Sequence, residues 1–349
     1  MFDNPLYSIF TDPETAADLA PSATLSRYGA VEAALTRALS AEGLIDADAA
    51  DAALAAIAGF APDLDRLAAD SRADGLPVPG YVRQLKAAAG AKASAAIHCG
   101  ATSQDIIDTA QALTLRVVND RFAARLDDLV GALAMLMDTW RDAPLMARTR
   151  MQAALPITAA DRICAWHRPL CRQALRFGEV RAGVECVSLA GPVGTGLGWD
   201  GKGAALATRV AAELGLADPN APWHTARDSI ATYGAWLATT CGALGKMGID
   251  IALMAQQGIE TVSLAGGGGS SAMAHKHNPV DAEILVTLAR YAAAQAGLLQ
   301  HAMVHEQERS GMAWSLEWLA LPALCQATGA ALLAAERLTA SVTRVGDPR

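Results

Sequence analysis

Apolar positions dominate this chain, and polar ones gather in a few short stretches. Alanine and leucine carry most of the apolar pattern and β-branched runs are short, so the chain reads as nearly all helix. The first hundred residues are broken up. A helix is expected over "SRYGAVEAALTRALSAEGL", with Ser26 as N-cap and Gly43 near its end. Shorter helices follow, separated by turns such as "GFAPD" and "DGLPVPG". Beyond them the segments lengthen. Ile106 to Trp140 holds no proline and a single glycine, and such a helix spans about 50 Å at about 1.5 Å per residue. Further long helices are expected from about Pro156 to Glu185 (kinked at Pro169), Thr225 to Ile259, Pro279 to Glu308, and Ala313 to Thr339 (bent near Pro322). Five long helices joined by loops predict an all-α helix bundle over residues 101–341, preceded by an N-terminal helical domain over 1–100. Small residues cover most of each helix's circumference. Helices of that kind are buried on several sides, which predicts bundles merging between subunits.

Composition sharpens this picture. Of 349 residues, 52% are hydrophobic and only 18% charged, as expected of a membrane protein or of a chain that buries much surface in an oligomer. The most apolar stretch, "ATYGAWLATTCGALGKMGIDIALMAQQ", is interrupted by Lys246 and Asp250, whereas a bilayer needs about 20 nearly uncharged residues. The opening "MFDNPLYSIFTDPE" has no basic-then-apolar signal pattern, so a cytoplasmic protein with no membrane partner is expected. The formal charge is −8, without basic runs, which argues against nucleic acid. Six cysteines are scattered with no C-x-x-C pair, as buried free thiols would be.

Four polar stretches fall where long helices begin or end. "HCGATSQD" offers the hydroxyls of Thr102 and Ser103 at a helix N-terminus, which suits a carboxylate. The same residues read equally as a cap, with Asp105 completing a capping box. "ARTRMQAALP" places Arg148, Thr149, Arg150 and Gln152 together; if extended, Arg148, Arg150 and Gln152 share one side. That is an anion clamp or a solvated junction. "HEQERSGMAWSLEW" ends a helix with Arg309 and Ser310, for an anion or for the helix dipole. The fourth is "GGGGSSAMAHKHNP", Gly266 to Pro279. It lies between helices of one bundle, so a linker is excluded. It lacks a lysine-serine pair after its glycines, so it is no phosphate loop of the G-x-x-x-x-G-K-[ST] type. His275 and His277 stand at i and i+2 with no second cluster at zinc-like spacing, so no metal is expected. What remains is a mobile loop hinged on Gly266 to Gly269. It carries a hydroxyl and a cation and ends at a helix start, with Asn278 as N-cap, Pro279 next, and Asp281 and Glu283 in the first turn.

"GGSSAMAHKHNPVDAE" resembles the "GSSxMPxKxNPxxxE" signature of the fumarase/aspartase superfamily, "GATSQD" its threonine-serine region, and "RTRMQAALP" its "RTHxQxAxP" region. Three motifs in the right order extend the resemblance over nearly the whole chain. "PWHTARDSIATYGAWLATTCGALGKMGIDIALM" and "HEQERSGMAWSLEW" are similar to its muconate-cycloisomerase branch. The resemblance implies a homotetramer with merged long helices, active sites shared between three chains, and no cofactor. It also implies that residues 342–349 are the vestige of a further small helical domain, itself absent.

The activity implied is lactonisation of a tricarboxylate-type muconate, such as 3-carboxy-cis,cis-muconate in protocatechuate breakdown. A fumarate-releasing lyase and a non-catalytic structural homologue are the alternatives. By resemblance Ser270 handles the carbon proton, and Lys276 with Asn278 stabilises the enolate-like dianion. Thr102, Ser103, Arg148, Thr149, Gln152, His275 and Arg309 would hold carboxylates, and Arg150, Glu283 and Ser271 would support them. Superfamily lyases usually carry histidine where Arg150 stands, to protonate a leaving group. Arginine, with a pKa above about 12, cannot do so, and a carboxylate leaving group needs no proton. An Arg150–Glu283 ion pair is the corresponding structural expectation. Ala274, in place of the usual proline, is expected to loosen the loop.

Overall fold

The computed structural model describes residues 4–269, 273 and 276–348. The N-terminal part comprises α1 (Pro13–Asp18), α2 (Pro21–Ala41), α3 (Ala47–Ala58), α4 (Leu64–Asp74) and α5 (Val78–Ser94). The long elements are α6 (Ser103–Thr139), α7 (Ala159–Ala182), α9 (Asp228–Met254), α10 (Val280–Ala302) and α11 (Met312–Ser341), with the short α8 (Gly203–Leu214) between α7 and α9. All five expected long helices form, and α7 and α11 run through Pro169 and Pro322. Two expected starts differ. Ser26 lies inside α2, which begins at Pro21, a residue whose fixed φ suits a first helical turn. Asn278 does not cap α10; Pro279 holds that position, because Asn278 is drawn into a strand pair.

The bundle core is built from α6, α7, α9, α10 and α11, around residues such as Phe122, Trp166, Tyr233, Leu285 and Leu324. The N-terminal helices form their own cluster around Tyr28, Tyr81 and Leu85, which continues onto Ile106 and Ile107 of α6. α9 and α11 are long and apolar enough to cross a membrane by composition, yet 72% of the apolar window of α11 is buried inside the protein. Helix packing therefore accounts for most of its apolar character.

Small residues let α9 and α10 touch closely. A Cβ on Gly248 would lie 2.5 Å from the Ala282 carbonyl oxygen and 2.9 Å from Leu285 Cβ. Gly248→Ala gains about 1 kcal/mol of helix propensity but overpacks a backbone contact, at about 1–3 kcal/mol. The expected net result is a melting temperature lowered by a few degrees in a thermal melt.

Three short pairings were not expected. β1 (Pro144–Thr149) and β2 (Gln152–Thr158) form an antiparallel hairpin after α6. β3 (Val262–Leu264) pairs with β6 (Val342–Val345), and β4 (Gly268–Gly269) with β5 (His277–Asn278). Residues 342–345, expected to be a vestigial tail, are thus a strand. Just beyond them the Asp347 carboxylate accepts from the Met146 backbone N–H (3.1 Å), fastening the base of the hairpin.

Candidate active site at the two ends of the bundle

Thr102 and Ser103 open α6 beside a buried polar cluster. Asp105 has no exposed surface and accepts from the backbone N–H of Thr102 (2.9 Å), Ala190 (2.8 Å) and Gly191 (3.1 Å), with His224 Nε2 at 3.0 Å. The Asp105 half of the expected capping box is therefore present, and the same carboxylate gathers a loop and the lead-in to α9. Gln104 donates to Asp108 (3.1 Å) and to the His224 carbonyl (2.8 Å), and its own carbonyl accepts from Arg309 Nε (3.1 Å). Arg309 also donates to the Pro192 carbonyl (3.0 Å). This holds Arg309 over the start of α6 instead of leaving it to the end of α10. Thr102, Ser103 and Arg309, far apart in sequence, are brought together.

Beneath them Arg227, 1% exposed, donates to Asp108 (2.7 Å) and to Glu317 (2.9 Å), while Trp314 Nε1 donates to Asp108 (3.1 Å). Burial opposes the charge on Arg227, but the two carboxylates outweigh it and hold its pKa well above the ordinary arginine value. The starts of α6, α9 and α11 are thereby locked to one another.

Arg148, Thr149, Arg150 and Gln152 lie at the other end. Thr149 pairs with Gln152, and Arg150 and Met151 form the two-residue turn between them, with φ of 48° and 69°. A tight hairpin of this kind needs left-handed backbone at both central positions. Arg148, Arg150 and Gln152 are therefore not one face of an extended strand, and Arg150 stands at the hairpin tip. A cavity of about 360 Å³ is lined by Arg148, Arg150, Arg162, Lys246 and Asp250, among others. Among the described residues no ion pair joins Arg150 to Glu283 within the chain, so the expected pair is not made there. At the same end Lys276 is exposed and Asn278 half-buried. Ser270, Ser271, Ala274 and His275 lie outside the described residues. Of the four glycines expected as hinges, Gly268 and Gly269 are held in a strand pair, and a Cβ on Gly268 would lie 2.5 Å from Val280 Cγ2. Only Gly266 and Gly267, with φ of 80° and 134°, adopt backbone that favours glycine.

Within one chain these two sets are not brought together. α9 carries Arg227 of the first cluster just before its first residue and Met254 of the hairpin cavity at its end, a separation of about 40 Å at about 1.5 Å per residue.

A family model described as lyase matches residues 5–293. The chain belongs to this lyase family, within the fumarase/aspartase superfamily. Among its lyase-family relatives, a 3-carboxy-cis,cis-muconate cycloisomerase of Bradyrhizobium diazoefficiens is 38% identical over 89% of this chain and 70% of its own length. A nitrosuccinate lyase of Streptomyces davaonensis is 37% identical over 93% of this chain and 71% of its own. The crystal structure of 3-carboxy-cis,cis-muconate lactonizing enzyme from Pseudomonas putida superposes with a TM-score of 0.91 at 31% identity, covering 98% of this chain and 77% of that one.

Sequence reasoning missed the residues that hold the site in place: Asp105 beyond its capping role, Asp108, His224, Arg227 and Glu317. Asp108 and Glu317 stand as lone carboxylates in mostly apolar stretches, "IIDTA" and "SLEWLA", whereas Asp105, His224 and Arg227 sit among other polar residues, where nothing local marks them as buried. Such side chains are buried only when paired.

Proposed function

We propose that the chain is a cycloisomerase that lactonises 3-carboxy-cis,cis-muconate in aromatic catabolism. The substrate's own carboxylate adds across the alkene, and the neighbouring carbon takes a proton. The observation that carries this reading is Arg150 at the hairpin tip, in a chain 38% identical to a relative bearing that name. A permanent cation there stabilises charge but cannot protonate a leaving group. The reaction therefore involves a group that is stable as an anion, as a carboxylate is.

In this reading Ser270 handles the carbon proton, and Lys276 and Asn278 meet the dianion. Thr102, Ser103, Arg148, Thr149, Gln152, His275 and Arg309 hold carboxylates, and Arg150, Glu283 and Ser271 support them. The separation of the two residue sets by about 40 Å is met by a homotetramer, in which one end of one bundle completes the other end of another. The Arg150–Glu283 pair then forms between copies. Exposed Leu175 (84%), Val304 (73%), Met312 (77%) and Leu319 (73%) supply apolar surface for that assembly. No cofactor enters the reaction, and the protein works in the cytoplasm.

Purified protein is expected to convert 3-carboxy-cis,cis-muconate to a carboxymuconolactone, read as a fall in ultraviolet absorbance as conjugation is lost. An unchanged spectrum with micromolar protein would overturn the proposal. The nitrosuccinate lyase relative favours one second reading, an elimination whose leaving group is nitrite, also a stable anion. Release of fumarate and nitrite from nitrosuccinate, without muconate turnover, would select it.

A further inference from the structure

His305 lies in the segment 303–311 that joins α10 to α11, four residues before Arg309. Its side chain keeps 1% of its exposure, and neither ring nitrogen has a hydrogen-bond partner among the described residues. An apolar side chain would fill the same space without leaving two polar atoms unpaired, so packing alone does not account for an imidazole here. What the ring faces does. Nε2 stands 3.5 Å from Glu317 Oε1, in a cluster that sets two carboxylates, Asp108 and Glu317, against one guanidinium, Arg227. The cluster thus carries one negative charge in excess, and burial strengthens its attraction for a polar N–H. The contacts then close on themselves. Glu317 Oε1 also accepts from Arg227 Nε (2.9 Å), Arg227 donates to Asp108 (2.7 Å), Gln104 donates to Asp108 (3.1 Å), and Arg309 donates to Gln104 (3.1 Å). The circuit leaves the 303–311 segment at His305 and returns to it at Arg309. Between the two, Gln307 adopts left-handed backbone with φ 46°, a bend that persists when its surroundings hold it.

We propose that His305 is a positioning residue for Arg309. Glu317 anchors the segment through the imidazole, while Gln104 and the Pro192 carbonyl fix the guanidinium, so Arg309 is held at its backbone and at its tip. Nε and one terminal nitrogen of Arg309 are committed to those two partners. The other terminal nitrogen has no hydrogen-bond partner among the described residues, and it is the one left to meet a carboxylate. The assignment rests on the reading of Arg309 as a holder of substrate carboxylate, and extends it to a residue that touches no substrate.

The test is a double-mutant cycle between His305→Leu and Arg309→Ala, with His305→Gln, whose amide can donate to Glu317, as the conservative variant. A hydrogen bond to a charged group is worth about tenfold to a hundredfold in affinity, and a misaimed arginine forfeits part of it. His305→Leu is therefore expected to raise KM for 3-carboxy-cis,cis-muconate by about threefold to tenfold, with kcat changed much less. Calorimetric binding of propane-1,2,3-tricarboxylate should weaken by the same factor, and His305→Gln should restore most of both. In the Arg309→Ala background His305→Leu should cause no further loss of affinity, because its effect passes through the arginine. Equal losses in the two backgrounds, or wild-type KM and affinity in His305→Leu, would overturn the assignment. Urea denaturation gives a readout that needs no ligand. The unfolding midpoint of the double variant should fall by less than the sum of the two single falls, and additive falls would also overturn the assignment. If the wild type neither turns over muconate nor binds the tricarboxylate, the carboxylate reading fails by itself, and the midpoints still decide whether His305 and Arg309 are coupled.

Discussion

Replacing Ser270 by alanine is expected to lower kcat on 3-carboxy-cis,cis-muconate by about 10²- to 10⁴-fold, the usual contribution of a positioned proton-transfer group. KM should change little, because the serine meets carbon as the C–H bond forms and is not one of the groups proposed to hold carboxylates. The loss should belong to the chemical step, visible in single-turnover traces. A variant with undiminished turnover would remove Ser270 from this role and leave the reaction class standing. The same variant tests whether sites are shared. Gly269, the residue before Ser270 in sequence, pairs with His277 just ahead of α10, whereas Arg309 is tied to the start of α6, so the loop that carries the serine is anchored at the opposite end of the chain from Arg309. If each site draws on several copies, mixing inactive Ser270→Ala and Arg309→Ala proteins under conditions that exchange subunits should restore part of the activity. Some sites would then contain neither substitution. Failure to recover activity despite demonstrated exchange would mean that one chain supplies both residues to one site.

The second large effect is on stability. Arg227→Met should destabilise the fold by about 3–5 kcal/mol, because it strands two carboxylates, Asp108 and Glu317, that have 1% exposure or less. Set against a typical total of about 5–15 kcal/mol, this is a large fraction, and the melting temperature should fall by about 10 °C. The triple variant that also carries Asp108→Asn and Glu317→Gln should regain much of the loss, since the stranded charges are then gone. Equal melting temperatures for the single and triple variants would show that packing of the arginine stem, rather than its charge, is what the core needs. Activity should fall as well. Asp108 also holds Gln104, and Gln104 holds Arg309, so slack in the cluster reaches a group proposed to hold the substrate.

How legible these features were in the sequence depended on how local their causes are. The long helices could be read because composition, glycine and proline act within a turn or two, and α6, α7, α9, α10 and α11 lie within a few residues of their expected spans. The capping interaction of Thr102 and Asp105 is local for the same reason. Asn278 has the sequence context of a helix cap, but pairing with Gly268 ten residues earlier displaces it from that position. The hairpin turn at Arg150 is not legible in the sequence, where an extended stretch is only one possibility, because left-handed backbone at an arginine and a methionine carries no composition signal. The strand at 342–345 depends on Val262–Leu264, about eighty residues away.

The sequence by itself determined that the chain is a bundle of long helices, which superfamily its motifs belong to, and that an arginine replaces a proton donor. These follow from residue identity and short-range spacing. Only the tertiary structure decided that Arg309 serves the start of α6, that Asp108, Arg227 and Glu317 lock three helix starts together, and that His305 faces Glu317. It also decided that the motif residues divide between two ends of the bundle. A side chain's partner is fixed by where helices of known length cross, and crossing depends on the packing of the whole core.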